Sequence, residues 1–218
     1  MRYFILFVVL LRGWSGNACA QDGFVAQSGS LTYDVFDRNG KAFVNHAVDV
    51  AGTPFLSDDW KLGALVVNTN RKFDSVKIRI NLLSQEVHVL DKNNNEMALA
   101  QGYIKEIQLP DLITGKPGGI IYQSGFPPID EQNANNFYQL LARGKLSLLL
   151  STRKVIATQK DELSGEVKKE YRAYQDYYLY DGKTMQRVKK SSALIDGKQV
   201  KFKNIDELKT AVDAYNAL

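Results

Sequence analysis

Residues 174–191 read YQDYYLYDGKTMQRVKKS, and three kinds of chemistry fit parts of that stretch. Gly182-Lys183-Thr184 has the end of a phosphate-cradling loop. Such a loop also needs a glycine five residues before the Gly-Lys pair, so that successive backbone N–H groups wrap the phosphates. That position holds Tyr177, and the phosphate reading fails. Tyrosines interleaved with Arg187, Lys189 and Lys190 could stack bases and neutralise a nucleic-acid backbone. A third reading is a β-hairpin turning on Asp181-Gly182, because a two-residue turn favours residues that accept positive φ. Tyrosine suits the flanking strands, since its ring packs while its hydroxyl stays wet.

Other catalytic groups are sparse. The two histidines, His46 and His88, sit in strand-like segments without the three or four convergent ligands a zinc site needs. There is no G-x-S-x-G elbow and no H-E-x-x-H pair. Asp58, Asp59, Glu86, Asp130 and Glu131 could supply the paired carboxylates of a glycoside hydrolase. The adjacent pair Asp58-Asp59 reads better as a cap on a turn. No catalytic constellation, metal-ligand set or cofactor is expected.

The N-terminal stretch MRYFILFVVLLRGWSGNACAQ has the form of a secretory signal. Arg2 is the charged start, Tyr3 to Leu11 the apolar run, and Ala18-Cys19-Ala20 the small-residue exit. The run is too short to span a bilayer, which takes roughly 20 apolar residues. Cleavage between Ala20 and Gln21 would remove Cys19, the only cysteine, and with it disulfides and thiolate chemistry. The alternative is a lipoprotein anchored through Cys19, although Gly16 stands where an aliphatic residue is usual. The formal charge of +4 includes Arg2 and Arg12, so the mature chain is nearly balanced. That balance and export both count against a nucleic-acid partner.

The elements that must position these residues follow from periodicity. Residues 1–20 read as signal, 21–30 as a flexible lead-in and 31–218 as one β-rich domain. Leu31, Tyr33 and Val35 alternate with polar neighbours before a turn at Arg38-Asn39-Gly40. GTPFLSDDW, 52–60, is a turn anchored by Phe55, Leu56 and Trp60. Val76, Ile78, Ile80 and Leu82 fall on one strand face, and Lys77, Arg79 and Asn81 on the other. Val87 and Val89 continue that alternation, so 31–109 predicts an antiparallel meander.

Residues 110–128 hold four of the five prolines and four glycines, and mark a sub-boundary or a binding loop. Asp130 as cap, Phe137, Leu140 and Leu141 at helical spacing, and Gly144 as stop predict a middle helix. Strands are expected at Leu146–Leu150, Lys154–Thr158, Tyr171–Tyr180 and Lys183–Lys190, with a charged turn over 161–169 and a short helix over 191–195. Asn204 as cap, Glu207 three residues on, and the stripe Ile205, Leu208, Val212, Tyr215 predict a closing amphipathic helix. The expected fold is α+β and β-rich: an antiparallel meander or half-barrel sheet with a middle helix and a C-terminal amphipathic helix. Ile120, Tyr122 and Phe126 in the Pro/Gly loop, with Tyr178, Tyr180 and Lys183 at the hairpin, are the candidate binding surface.

GTPFLSDDWKLGALV, KIRINLLSQEVHVLDKNNNEMAL, FYQLLARGKLSLLL and YYLYDGKTMQRVKK, with a final helix ending in DAYN, resemble a family of uncharacterised secreted proteins of Bacteroidetes bacteria. The likeness covers most of 50–216. It implies a secreted or periplasmic location and a β-rich body, and carries no activity. The expectation is a non-catalytic envelope protein that binds another envelope protein or a lipid-like ligand. Alternatives are a carboxylate hydrolase of an envelope polymer and a lipid-carrier-like half barrel. Contact with a membrane is expected only through a lipidated Cys19. Mass spectrometry of the exported protein is expected to give a chain starting at Gln21; a lipid adduct on Cys19 would replace that assignment.

Overall fold

The computed structural model describes residues 35–36, 42–43, 50–111, 118–160 and 167–218. The signal segment, the lead-in, His46 and residues 161–166 of the charged turn lie outside the described residues. The chain forms two compact units, Met1–Ala47 and Val48–Leu218. In the first, β1 (Val35–Phe36) pairs antiparallel with β2 (Ala42–Phe43), as two of the strands expected there; the turn at Arg38-Asn39-Gly40 lies outside the described residues.

The second unit is built on one large sheet. Its strands are β3 (Val50–Ala51), β4 (Lys61–Val67), β5 (Lys72–Asn81), β6 (Glu86–Leu90), β7 (Glu96–Leu99), β8 (Ile104–Leu109), β9 (Ile120–Gln123), β10 (Tyr138–Ala142), β11 (Ser147–Lys160), β12 (Val167–Tyr180) and β13 (Met185–Arg187). They lie in the order β13-β12-β11-β10-β9-β8-β4-β5-β6-β7, with β3 added parallel to β12. Every other pairing is antiparallel. A small hairpin, β14 (Ser192–Ile195) with β15 (Lys198–Lys201), and the helix α1 (Ile205–Asn216) complete the unit. The fold is α+β and β-rich, with a half-barrel-like sheet that does not close.

The curl follows from a short connection. β7 and β8 are four places apart in the sheet, ~19 Å on a flat surface at about 4.8 Å per strand. Only Ala100–Tyr103 join them, and Tyr103 N–H donates to the Ala100 carbonyl at 3.1 Å, folding the link into a turn. A turn of that kind spans less than about 7 Å between its end Cα atoms. The sheet must therefore bend β7 round toward β8. A bulge assists: Gly63 pairs with Val76 and Leu65 with Phe73, leaving an extra residue on β5, where Ser75 takes φ 59°. The alternation predicted for β5 and β6 points Ile78, Ile80, Val87 and Val89 into the concave side. There they pack with Leu65, Val67, Ile104 and Ile107.

At the other end, β10–β12 are covered on both faces. Leu148 and Leu179, directly paired, face Leu208 and Val212 of α1 and Ala193 and Ile195 of β14. Leu149 and Tyr178, the next pair along, face Phe126 and Tyr138. α1 begins as expected: the Asn204 carboxamide oxygen accepts from Glu207 N–H at 2.9 Å. The Glu207 carboxylate accepts from Lys203 N–H at 2.8 Å, one residue before the cap.

Three expectations are corrected. The middle helix is absent: Phe137, Leu140 and Leu141 belong to a segment entering and forming β10, a strand buried on both sides. Such a strand carries apolar residues on both faces, here all but Gln139, so its spacing also satisfies a helix. The bulge at Leu141 adds to the ambiguity by placing Leu141 and Ala142 against the same cluster. Asp130 caps no helix; it stands at φ 52° in the turn Ile129–Gln132. Residues 191–195 form β14 rather than a short helix, paired with β15 across the tight turn Asp196-Gly197. The two strands expected over 146–158 are one, β11, fourteen residues long. The 110–128 segment is not one long connection: it contains β9, which pairs with β8 from Leu109↔Ile120 and with β10; residues 112–117 lie outside the description.

The hairpin at Asp181-Gly182 is also longer than a two-residue turn. Tyr180 pairs with Met185, so the loop is Asp181–Thr184. The Asp181 carboxylate accepts from Thr184 N–H at 2.7 Å and Lys183 N–H at 2.8 Å, and these bonds hold its pKa down to about 2. A depressed carboxylate favours the fold above its unfolded value of 3.8, and that contribution fades as pH falls toward 2. Gly182 has φ +91° with nothing near a hypothetical Cβ. A side chain there meets no steric clash, only an unfavourable backbone angle. Gly182→Val is expected to lose about 1–3 kcal/mol of stability in urea unfolding and Gly182→Asn clearly less; equal, near-zero losses would remove the positive-φ requirement.

Candidate functional site

The structure divides the six candidate surface residues. Tyr122 is buried in the concave core, and burial pushes its phenol up to about 12. Phe126 and Tyr178 are buried in the aromatic layer, Tyr178 with only 1% of its surface accessible. These three are corrected from binding surface to core. Ile120 is half-buried beside the concave core. Tyr180 is half-buried, stacks edge-on with Phe126 and donates its hydroxyl to the Gly182 carbonyl at 2.9 Å. Lys183 is exposed. Ala20 and Gln21 lie outside the described residues.

The aromatic layer has a polar margin. Tyr178 donates its hydroxyl to Asp130 Oδ2 at 2.9 Å; burial first, and that bond second, raise its pKa. Arg187 pairs with Asp176 at 2.5 Å and approaches Asp130 at 3.7 Å, while Arg153 approaches Glu131 at 3.7 Å. The cleft between these groups is about 130 Å³. Ligand sites usually start near about 300 Å³. Two of the carboxylates named for hydrolysis, Asp130 and Glu131, do meet here, but beside guanidinium partners and without room for a sugar ring. Asp59 instead pairs with Lys61 at 3.1 Å, and Glu86 accepts from the Ser84 hydroxyl at 2.7 Å.

His88 belongs to a different cluster, on the convex side of β5–β7. Arg79 and His88 are cross-strand partners. Glu96 accepts from Arg79 Nη2 at 2.8 Å with both oxygens and sits 2.6 Å from His88 Nδ1. The guanidinium lies between the Phe55 ring at 4.0 Å and the Trp60 ring at 4.3 Å. Burial would raise the Glu96 pKa, but the bonds and charges of Arg79 and His88 together bring it below the ordinary value. Phe55 and Trp60 were expected as turn anchors; their shared partner Arg79 was not foreseen. This cluster clamps loop 52–60 onto the sheet and opens no cleft among the described residues. No set of three or more His, Cys, Asp or Glu side chains gathers as metal ligands among the described residues.

A roomy concavity with a distinct charge lies at the hairpin end. It holds about 790 Å³ between β12, the end of β13 and the start of α1. Tyr177, Val188, Phe202 and Ile205 give it apolar walls; Arg187, Lys189, Lys190 and Lys203 ring it with positive charge. Arg187 is partly neutralised by Asp176. Lys189, Lys190 and Lys203 have no ion pair among the described residues. The sequence signal was the VKK run after the tyrosines, though the tyrosines themselves are mostly packing. Lys203 and Phe202 carried no signal, because only the β14–β15 hairpin returns them to this place. A groove along β4 and β8, about 500 Å³, reaches Pro110 and Gly118 and holds Lys72 beside Asp74, without a charge excess.

No family model, curated protein or solved structure matches the chain. The functional reading therefore rests on this geometry.

The clamp makes its own prediction. Arg79→Lys keeps the charge but loses the flat guanidinium that lies against both ring faces. It is expected to cost about 1–3 kcal/mol and to make loop 52–60 more sensitive to limited proteolysis; an unchanged cleavage pattern would count against the clamp.

Proposed function

We propose that this chain is an exported, non-catalytic binding protein of the cell envelope, and that its partner is another protein presenting an acidic segment. The observation that carries this reading is the groove of about 790 Å³, where three lysines without an ion pair among the described residues surround apolar walls. Clustered like charge around a concavity raises the local potential and attracts an oppositely charged partner. Apolar walls then supply the contact area that charge alone does not. Export is an expectation from the N-terminal signal pattern and remains part of the proposal.

Two alternatives have less support. A lipid carrier needs a large apolar cavity, whereas the concave side of the half barrel is filled by Leu65, Ile78, Ile80, Val87 and Ile107. A glycoside hydrolase needs two carboxylates about 5–9.5 Å apart across an open cleft, and the carboxylates at Asp130 and Glu131 sit in a small cleft against arginines.

Fluorescence anisotropy with an acidic Glu/Val peptide and a basic Lys/Val peptide tests the reading. The acidic peptide is expected to bind, more weakly as salt rises. The double variant Lys189→Glu/Lys190→Glu is expected to weaken it about tenfold, the sum of two charge reversals at a partly exposed rim. Equal binding by the wild type and the double variant would remove the groove from the proposal.

A further inference from the structure

We propose that the acidic segment binds as an added β-strand along the free edge of β13. This rests on the groove assignment above and names how the partner is held there.

The argument starts from the register. Val188 N–H donates to the Tyr177 carbonyl at 2.8 Å, in line with the pairs Tyr178↔Arg187, Leu179↔Gln186 and Tyr180↔Met185. In an antiparallel ladder, positions that bond to the neighbour alternate with positions that do not. Val188 and Gln186 therefore turn their backbone groups toward β12. Met185 and Arg187 turn theirs away. β13 is the last strand of the sheet on this side, and Gln186 and Arg187 are exposed. Two N–H groups and two carbonyls are thus presented in strand geometry, at the end of the strand that runs into the groove.

An open edge invites any strand, so the charge decides which. Lys183 precedes the edge, Arg187 ends it, and Lys189 and Lys190 follow at once. A second copy of this chain would bring the same lysines face to face, which opposes self-pairing. A strand with alternating acidic and apolar residues meets no such penalty. Its backbone takes the bonds offered by Met185 and Arg187, one side-chain row meets the lysines, and the other meets Val188 and Phe202. The edge is three residues long, so the backbone bonds fix direction and register while the groove supplies most of the contact.

The test uses the mature protein and the peptide acetyl-(Glu-Val)₄-amide. Amide hydrogen exchange by NMR is measured with and without saturating peptide. Met185 and Arg187 amides are expected to slow at least about tenfold on binding, while Gln186 changes little because its N–H already serves β12. A matched pair of variants gives a second readout. Proline is tolerated where a strand's N–H faces outward. Arg187→Pro and Arg187→Ala lose the same charge, but only the proline loses the outward donor. Arg187→Pro is expected to bind the peptide about tenfold more weakly than Arg187→Ala. If the peptide binds with the expected salt dependence but the two amides stay unprotected, or the two variants bind alike, strand addition is overturned and the groove reading stands. If the peptide does not bind at all, both fall. If the chain self-associates with the Arg187 amide protected in the absence of peptide, the edge belongs to a second copy and the proposal is overturned. Should Arg187→Pro fail to fold, the exchange measurement on the wild type decides alone.

Discussion

The long ribbon of β11 and β12 is the element on which the second unit depends. Its strands pair over fourteen consecutive positions without a register shift. That length fixes a strict alternation of faces, and a slip of one residue would exchange the two sides completely. At the inner end both sides are apolar: Leu148 and Leu179 on one, Leu149 and Tyr178 on the other. A strand pair buried on both faces needs two covers. α1 and the β14–β15 hairpin provide one, and the turn-rich segment around Phe126 and Ile129 provides the other. At the outer end the same ribbon carries charged and polar residues and needs neither.

The ribbon also anchors the meander. Lys154, midway along β11, donates its backbone N–H to the Leu82 carbonyl at 2.9 Å and its ammonium to the carbonyls of Thr53 and Phe55 at 2.8 and 2.6 Å. One side chain thus gathers the end of β5 and the loop before β4. A charged donor to two carbonyls is a stronger tie than neutral bonds of the same length. From the convex side, Arg79 holds the same loop between two aromatic rings. The loop is pinned from two directions, which suits a scaffold. The groove, by contrast, is rimmed by exposed lysines that form no ion pair among the described residues.

Where sequence reasoning succeeded, one residue row had one environment. Ile78 and Ile80 alternate with Lys77 and Arg79 because one side of β5 faces the core and the other faces out. The C-terminal helix was legible for the same reason: Asn204 and Glu207 mark its start, and Leu208 and Val212 lie on its single buried stripe. Where reasoning failed, the environment was two-sided. Tyr138 to Ala142 is apolar apart from Gln139, and Phe137, Leu140 and Leu141 fall at helical spacing, so periodicity could not separate a buried strand from a helix. Tyr178 looked like a surface tyrosine because it stands just before the hairpin turn, yet its ring is enclosed by Phe126 and Tyr138, with its hydroxyl satisfied by Asp130. Nothing near Asp130 in the sequence points to Tyr178, 48 residues away.

The sequence by itself determined the β-rich class, most strand positions, the place of the hairpin at Asp181-Gly182 and the closing helix. These depend on contacts between residues close in the chain, or on alternation that any one-sided sheet imposes. Only the tertiary structure decided which strands are neighbours, that the sheet curls without closing, and that Lys189, Lys190, Phe202 and Lys203 surround one groove. Those facts depend on long-range packing: a four-residue link bends the meander, two covers are needed for one ribbon, and a small hairpin brings residue 203 back beside residue 189. No local pattern records such returns, because the chain between them serves the core first and the site only by where it ends.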